Sequence, residues 1–179
     1  KYNLLPDPFL YFSSYFNKYR DEYVDRLYGV NSRGEWNEWI SFFLDAAIDQ
    51  SKEVFIRSKE LLSLRDEYRQ KYQGRRSGSL LSIVYNLFNN PVLTTKMAEE
   101  VTDVKYHATL DAIYELEDDG VLTEVTGKSR YKVYKATEIM EIIEEPIENL
   151  VENVDEEFNK HQATQDDEDI SQMELNEFE

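Results

Sequence analysis

The chain has 179 residues, 41% of them hydrophobic and 13% aromatic, enough for one or two domains with a sizeable core. It has no Cys, which excludes disulfides and thiolate metal sites, and no apolar run approaches the ~18 residues of a membrane helix, so a cytoplasmic chain without a membrane partner is expected. The net charge of −17 does not exclude nucleic acid, because it is concentrated at one end: residues 1–78 carry 12 acids and 13 bases, residues 79–135 carry 9 and 6, and residues 136–179 carry 16 and 1.

The chain opens with Pro6 and Pro8 and an aromatic run, Phe9, Leu10 and Phe12, after which Tyr15, Phe16, Tyr19, Tyr23, Leu27 and Val30 recur near helical spacing. Asn31-Ser32-Arg33-Gly34 is read as a break. The next forty or so residues hold neither Pro nor Gly and sustain a helical period from Trp36 and Trp39 to Leu64 and Tyr68, one long helix with a candidate kink at Gln50-Ser51. Trp36 and Trp39 are expected to face Phe12, Phe16 and Leu27, and the alternating charges beyond Lys52 are those of a solvent-bridging helix connecting two bodies. Residues 74–78, GRRSG, read as a linker whose Arg75 and Arg76 are better explained as solvated charge than as phosphate contacts.

Ser79 is expected to cap a helix through Leu80, Leu81, Val84, Leu87 and Phe88 that ends at Asn89-Asn90-Pro91. Thr94-Thr95 then precede a short helix through Met97, Ala98 and Val101, Asp103-Val104 makes a turn, and a second helix buries Ala108, Ala112, Ile113 and Leu116. Gly120 supplies a left-handed stop. Residues Val121–Val125 and Arg130–Lys135 read as a hairpin joined by Thr126-Gly127-Lys128-Ser129, so residues 79–144 have the order of a winged helix-turn-helix.

Such a module sets its second helix in the DNA major groove and its wing on the flanking backbone. The exposed face of that helix carries Lys105, Tyr106 and His107, but also Leu110, Asp111, Tyr114 and Glu115, whose acids oppose phosphate. The hairpin is more favourable, with Lys128, Arg130, Lys132 and Lys135. The candidate DNA-binding residues are therefore Lys105, Tyr106, His107, Lys128, Arg130 and Lys132. Beyond the hairpin, Thr137 is expected to cap a short helix broken at Pro146. Residues 145–179 read as an acidic helix and a disordered tail, whose seven acids from 161 onward form either a solubilising extension or a phosphate mimic for the hairpin.

The stretch LPDPFLYFSSYFNKYRDEYVDRLYGVNSRGEWNEWISFFLDAAIDQS resembles the segment that follows the catalytic motif of Fic-family proteins, with their "LYLSSYF", "RDEYYDRL" and "GDWxxWIxFFL" patterns. The resemblance continues through RSKELLSL, NPVLTTKMAEEV and TGKSRYKVYKA, and covers about residues 4 to 144. It implies residues 1–73 as the C-terminal helices of a Fic-like domain, and a parent that transfers AMP from ATP to a protein hydroxyl. The catalytic His-Pro-Phe-x-x-Gly-Asn-Gly-Arg loop is absent: neither His107 nor His161 precedes Pro, and no Gly-x-Gly occurs. No catalytic residue, metal or cofactor is therefore assigned to this chain, ATP being implied for the parent alone. Where family recognition helices of the "SYPTANRAI" type carry Asn-Arg, this chain has Leu110-Asp111, and His107 stands in place of the usual proline.

The expected fold is mainly α: a helical segment with a long connecting helix, then a winged helix with one β-hairpin, then an acidic disordered tail. The expected function is that of a regulatory region of a Fic protein whose winged helix binds double-stranded DNA for transcriptional autoregulation. The alternative is a scaffold for homodimerisation or for recruiting a target protein without DNA. An independent enzyme is disfavoured, because no nucleophile, metal-ligand set or Gly-rich loop accompanies the acids.

Overall fold

The computed structural model describes residues 11–74, 78–150, 156 and 159. They fall into two compact units, one within residues 11–56 and one of residues 57–150. The architecture is mainly helical, with one small antiparallel sheet.

In the first unit, α1 (Phe12–Lys18) and α2 (Arg20–Arg33) meet at Tyr19, and α3 starts at Trp36. Helix α2 runs through Asn31-Ser32-Arg33, so the expected break is confined to Gly34. There φ is 71°, and the N–H groups of Gly34 and Glu35 return to the carbonyls of Val30 and Gly29. The aromatic stripe builds the packing. Phe42, 4% exposed, has Tyr15, Phe16 and Trp39 around it at ring separations of 5.6, 5.8 and 6.1 Å. Arg26 of α2 bridges Glu22 at 2.9 Å and Glu38 of α3 at 2.8 Å.

Only one of the two indoles behaves as expected. Trp39 is half-buried against Phe16, Tyr23 and Phe42, whereas Trp36 is 59% exposed and Leu27 is exposed as well. Residues three apart on a helix are offset by about 60° around its axis, and the narrow aromatic seam covers only one of them. Trp36 instead heads an exposed stripe with Ile40, Phe43, Leu44 and Ile48, of which Phe43 stacks on Phe12 at 4.8 Å.

Helix α3 (Trp36–Tyr72) is a single helix across Gln50-Ser51, where the Ser51 hydroxyl donates to the Ala47 carbonyl at 2.7 Å. Its last turns belong to the second unit. Leu64, Tyr68 and Tyr72, at i, i+4 and i+8, are buried in one core with Leu80, Ile83, Val84 and Leu87 of α4 (Gly78–Leu87). The charged residues between them form the opposite face, so the helix that passes from the first unit into the second, as expected, ends as a core wall with a solvated back. Ser79 lies inside α4 and is nearly buried, hence it is not the cap expected from sequence, and residues 75–77, including Arg75 and Arg76, lie outside the described residues.

The sheet has three strands in the order β1-β3-β2: β1 is Val92–Thr94, β2 is Leu122–Glu124 and β3 is Val133–Ala136. The hairpin β2–β3 was legible in sequence and β1 was not, because three residues are too few to show alternation. Its pairing with β3, Leu93 opposite Tyr134, depends on a partner forty residues away. Between the strands lie α5 (Thr95–Thr102) and α6 (Tyr106–Asp118). After the sheet come α7 (Thr137–Glu144) and α8 (Ile147–Leu150). Thr137 opens α7 as its first residue and does not cap it. Its hydroxyl is 2.8 Å from that of Thr123 on β2. Glu145, extended before Pro146, ends α7 as the proline rule requires. Of the acidic segment expected at 145–179, residues 151–179 other than Glu156 and Asn159 lie outside the described residues.

Candidate functional site

Local chemistry positions α5 and α6. The Thr94 side chain accepts the Met97 N–H at 3.3 Å and starts α5, and Asp103 at φ 51° ends it by returning its N–H to Glu99. One residue type at the turn allows this: Asp, like Asn, tolerates the left-handed region. Helix α6 then begins at Tyr106. It ends where Gly120 (φ 79°) donates to the Glu117 carbonyl at 3.0 Å and Val121 to that of Leu116 at 2.9 Å, the paired bonds of a glycine-terminated helix.

The buried stripe of α6 is Thr109, Ala112, Ile113 and Leu116, not the stripe headed by Ala108 that the sequence suggested. Ala108 is exposed and Thr109 is 0% exposed. Apolarity alone favoured the alanine. The positions i, i+3, i+4 and i+7 select Thr109, which settles its hydroxyl on the Lys105 carbonyl of the preceding turn at 3.4 Å. Lys105, Tyr106, His107, Asp111 and Tyr114 remain exposed, while Leu110 and Glu115, assigned to the outer face from sequence, are half-buried.

The β2–β3 connection is longer than the four-residue turn read from sequence, since β3 starts only at Val133 and Arg130 and Lys132 therefore lie in the loop. Glu124 holds that loop at its root. Its carboxylate accepts from the Thr126 hydroxyl, from the Thr126 N–H at 2.7 Å and from the Gly127 N–H at 3.1 Å, and in that order these contacts hold its carboxyl below the usual range. Gly127 (φ 61°) and Tyr131 (φ 55°) turn the backbone through the left-handed region.

The four cations of the hairpin have different fates. Lys128 and Arg130 are exposed, and Lys132 is half-buried with its Nζ 5.9 Å from the centre of the Tyr114 ring. Lys135 is drawn off to Glu144 of α7 at 3.1 Å.

Helices α5 and α6 and this loop enclose a cleft of about 590 Å³. Its walls are Thr94, Thr95, Lys96 and Glu99 of the α5 start, Tyr106, Leu110 and Tyr114 of α6, and Ser129, Arg130, Tyr131 and Lys132 of the loop, with Tyr134 of β3. Tyr134 is 0% exposed, and its hydroxyl has no hydrogen-bond partner among the described residues. Burial, then the nearby Glu117, pushes that phenol up to about 12.

Of the candidate residues chosen from sequence, the fold gathers Tyr106, Arg130 and Lys132 around one cleft and leaves Lys105, His107 and Lys128 outside its lining. Sequence reasoning missed Lys96, Tyr131 and Tyr134. Lys96 could have been found, since a lysine in the first turn after the Thr94 cap is exposed by position. Tyr131 and Tyr134 read only as strand residues. His161 lies outside the described residues. Among the described residues no group of three or more His, Asp or Glu could hold a metal ion, and no helix is long and apolar enough to cross a membrane. The chain matches no known protein-family model.

Proposed function

We propose that the second unit is a winged helix-turn-helix that binds double-stranded DNA, as the regulatory C-terminal region of a Fic-type AMP-transferase. The element order α4-β1-α5-α6-β2-β3 supports the fold assignment, with α6 as the groove helix and the β2–β3 loop as the wing. The single observation that carries the DNA reading is the placement of Arg130 and Lys132 beside the exposed Tyr106 end of α6, with Lys96 across the cleft. A duplex backbone following that edge meets three cations while Tyr106 and His107 reach the base edges. Asp111 on the same helix face limits the affinity and makes the wing the dominant contact.

A second reading is favoured by the stripe Trp36, Ile40, Phe43, Leu44 and Ile48 of the first unit. Five large apolar side chains exposed on one helix are what a protein-contact surface presents, either to the rest of a larger domain, to a second copy or to a target. The two readings concern different units, and the first is decided by titration. Duplex DNA of mixed sequence is titrated with the full chain at low salt and followed by fluorescence anisotropy. Replacing Lys128, Arg130 and Lys132 by Ala should abolish the binding, with the salt slope falling by about one per lost phosphate contact. If the full chain and a variant lacking residues 161–179 both leave the duplex unshifted, the DNA reading is overturned.

A further inference from the structure

We propose that the cleft between α5, α6 and the β2–β3 loop is a binding site for a small planar anion, an aromatic ring bearing a carboxylate or phosphate. The site shares Lys96, Tyr106, Arg130 and Lys132 with the proposed DNA face, but it does not rest on that reading, because each of its features is present without a duplex. A volume of about 590 Å³ is that of a small-molecule pocket. The walls divide by chemistry. Tyr106, Leu110 and Tyr114 line the α6 side with two aromatic rings and an aliphatic side chain, apolar surface for a flat ring beside the Lys132 ammonium that lies 5.9 Å from the Tyr114 ring centre. On the other sides stand Lys96, Arg130 and Lys132, with Glu99 the one carboxylate of the lining and Glu100 3.9 Å from Lys96, which leaves Arg130 and Lys132 suited to one anionic group.

The Tyr134 hydroxyl adds the feature that separates a site from a surface groove. A fully buried phenol normally finds a hydrogen-bond partner, and this one has none among the described residues. Tyr134 belongs to the lining of the same cleft as Tyr106 and Tyr114, the two aromatic walls that would take the ring. A polar substituent on a bound ring can receive that O–H and satisfy it. Tyr131, 92% exposed on the left-handed bend of the loop, stands at the rim, where it can fold over an occupied cleft.

The test uses the full chain without DNA, so its outcome is independent of the duplex titration above. The probes are 2-hydroxybenzoate and phenyl phosphate, with cyclohexanecarboxylate and inorganic phosphate as comparisons, and binding is followed by amide chemical-shift changes in two-dimensional NMR. The expected result is saturable shifts at Lys96, Leu110, Arg130 and Tyr131 with both aromatic probes, at least several-fold tighter than with either comparison. Tyr134→Phe, which keeps the packing and removes only the hydroxyl, should weaken 2-hydroxybenzoate roughly five-fold, the equivalent of one neutral hydrogen bond. Arg130→Ala with Lys132→Ala should weaken both aromatic probes. The proposal is overturned if 10 mM probe, about the weakest binding of interest, moves no cleft amide. It is equally overturned if the comparisons bind as well as the aromatic probes, which leaves a bare anion site, or if Tyr134→Phe leaves the affinity unchanged while its folded spectrum is intact.

Discussion

The phenol of Tyr72, 1% exposed at the last residue of α3, donates a 2.7 Å hydrogen bond to the carboxylate of Asp119, the residue that caps α6. Lys71 reaches the same carboxylate at 3.4 Å, so two consecutive residues of α3 hold the end of the helix that carries the candidate site. Tyr72→Phe removes the hydrogen bond and keeps the packing, which should cost about 1 kcal/mol, whereas Tyr72→Ala also opens a cavity and should cost about 3 to 5 kcal/mol. Urea unfolding followed by circular dichroism checks both, and a Tyr72→Phe variant as stable as the wild type would show that the hydroxyl contributes nothing.

Tyr68, one turn earlier, donates to Glu138 of α7 at 3.0 Å. Burial, then the Glu138 charge, raises the Tyr68 phenol well above its ordinary value of 10.0. Because the folded state holds this proton more tightly than the unfolded chain does, the contribution is complete below about pH 10 and is lost as pH climbs beyond it. Unfolding free energy should therefore fall between pH 9 and pH 11 in the wild-type chain, and fall less in Tyr68→Phe. Tyr134, raised to about 12, adds to the same alkaline limb, so the double replacement by Phe should flatten it further.

The two indoles of α3 should separate cleanly. Trp39→Ala removes ring contacts with Phe16, Tyr23 and Phe42 at 5.7 to 6.3 Å and should cost about 3 kcal/mol. Trp36→Ala, at a position 59% exposed, should change stability by less than about 0.5 kcal/mol. Thermal melts of the two variants decide this, and a comparable loss for Trp36 would mean that its face is covered in solution.

Glu124 makes the β2–β3 loop a defined object. Replacing it by Ala frees the N–H groups of Thr126 and Gly127, which it otherwise binds at 2.7 and 3.1 Å, and their amide hydrogen exchange should accelerate at least ten-fold. The β2–β3 pairing at Thr123 and Lys135 should retain its protection. Acidification acts the same way: the lowered Glu124 carboxyl keeps its contacts above the usual carboxylate range and loses them as pH falls through its own depressed value.

The sequence by itself determined what local chemistry controls. The stops at Gly34 and Gly120 follow from backbone freedom, the Thr94 cap and Asp103 turn from side chains that reach their own backbone, and the long helix α3 from uninterrupted helical period. It also singled out Tyr106, Arg130 and Lys132, which the fold sets around one cleft. What only the tertiary structure decided depends on partners distant in sequence. Strand β1 exists because β3 offers an edge at Tyr134, and Thr109 displaces Ala108 from the core because the helix packs by angle and not by polarity. Lys135 leaves the cationic set because α7 brings Glu144 to it, while Lys132 keeps its place over Tyr114. The unpartnered Tyr134 hydroxyl belongs to this second group too, since a strand residue's periodicity says that it points inward but never whether anything waits there to meet it.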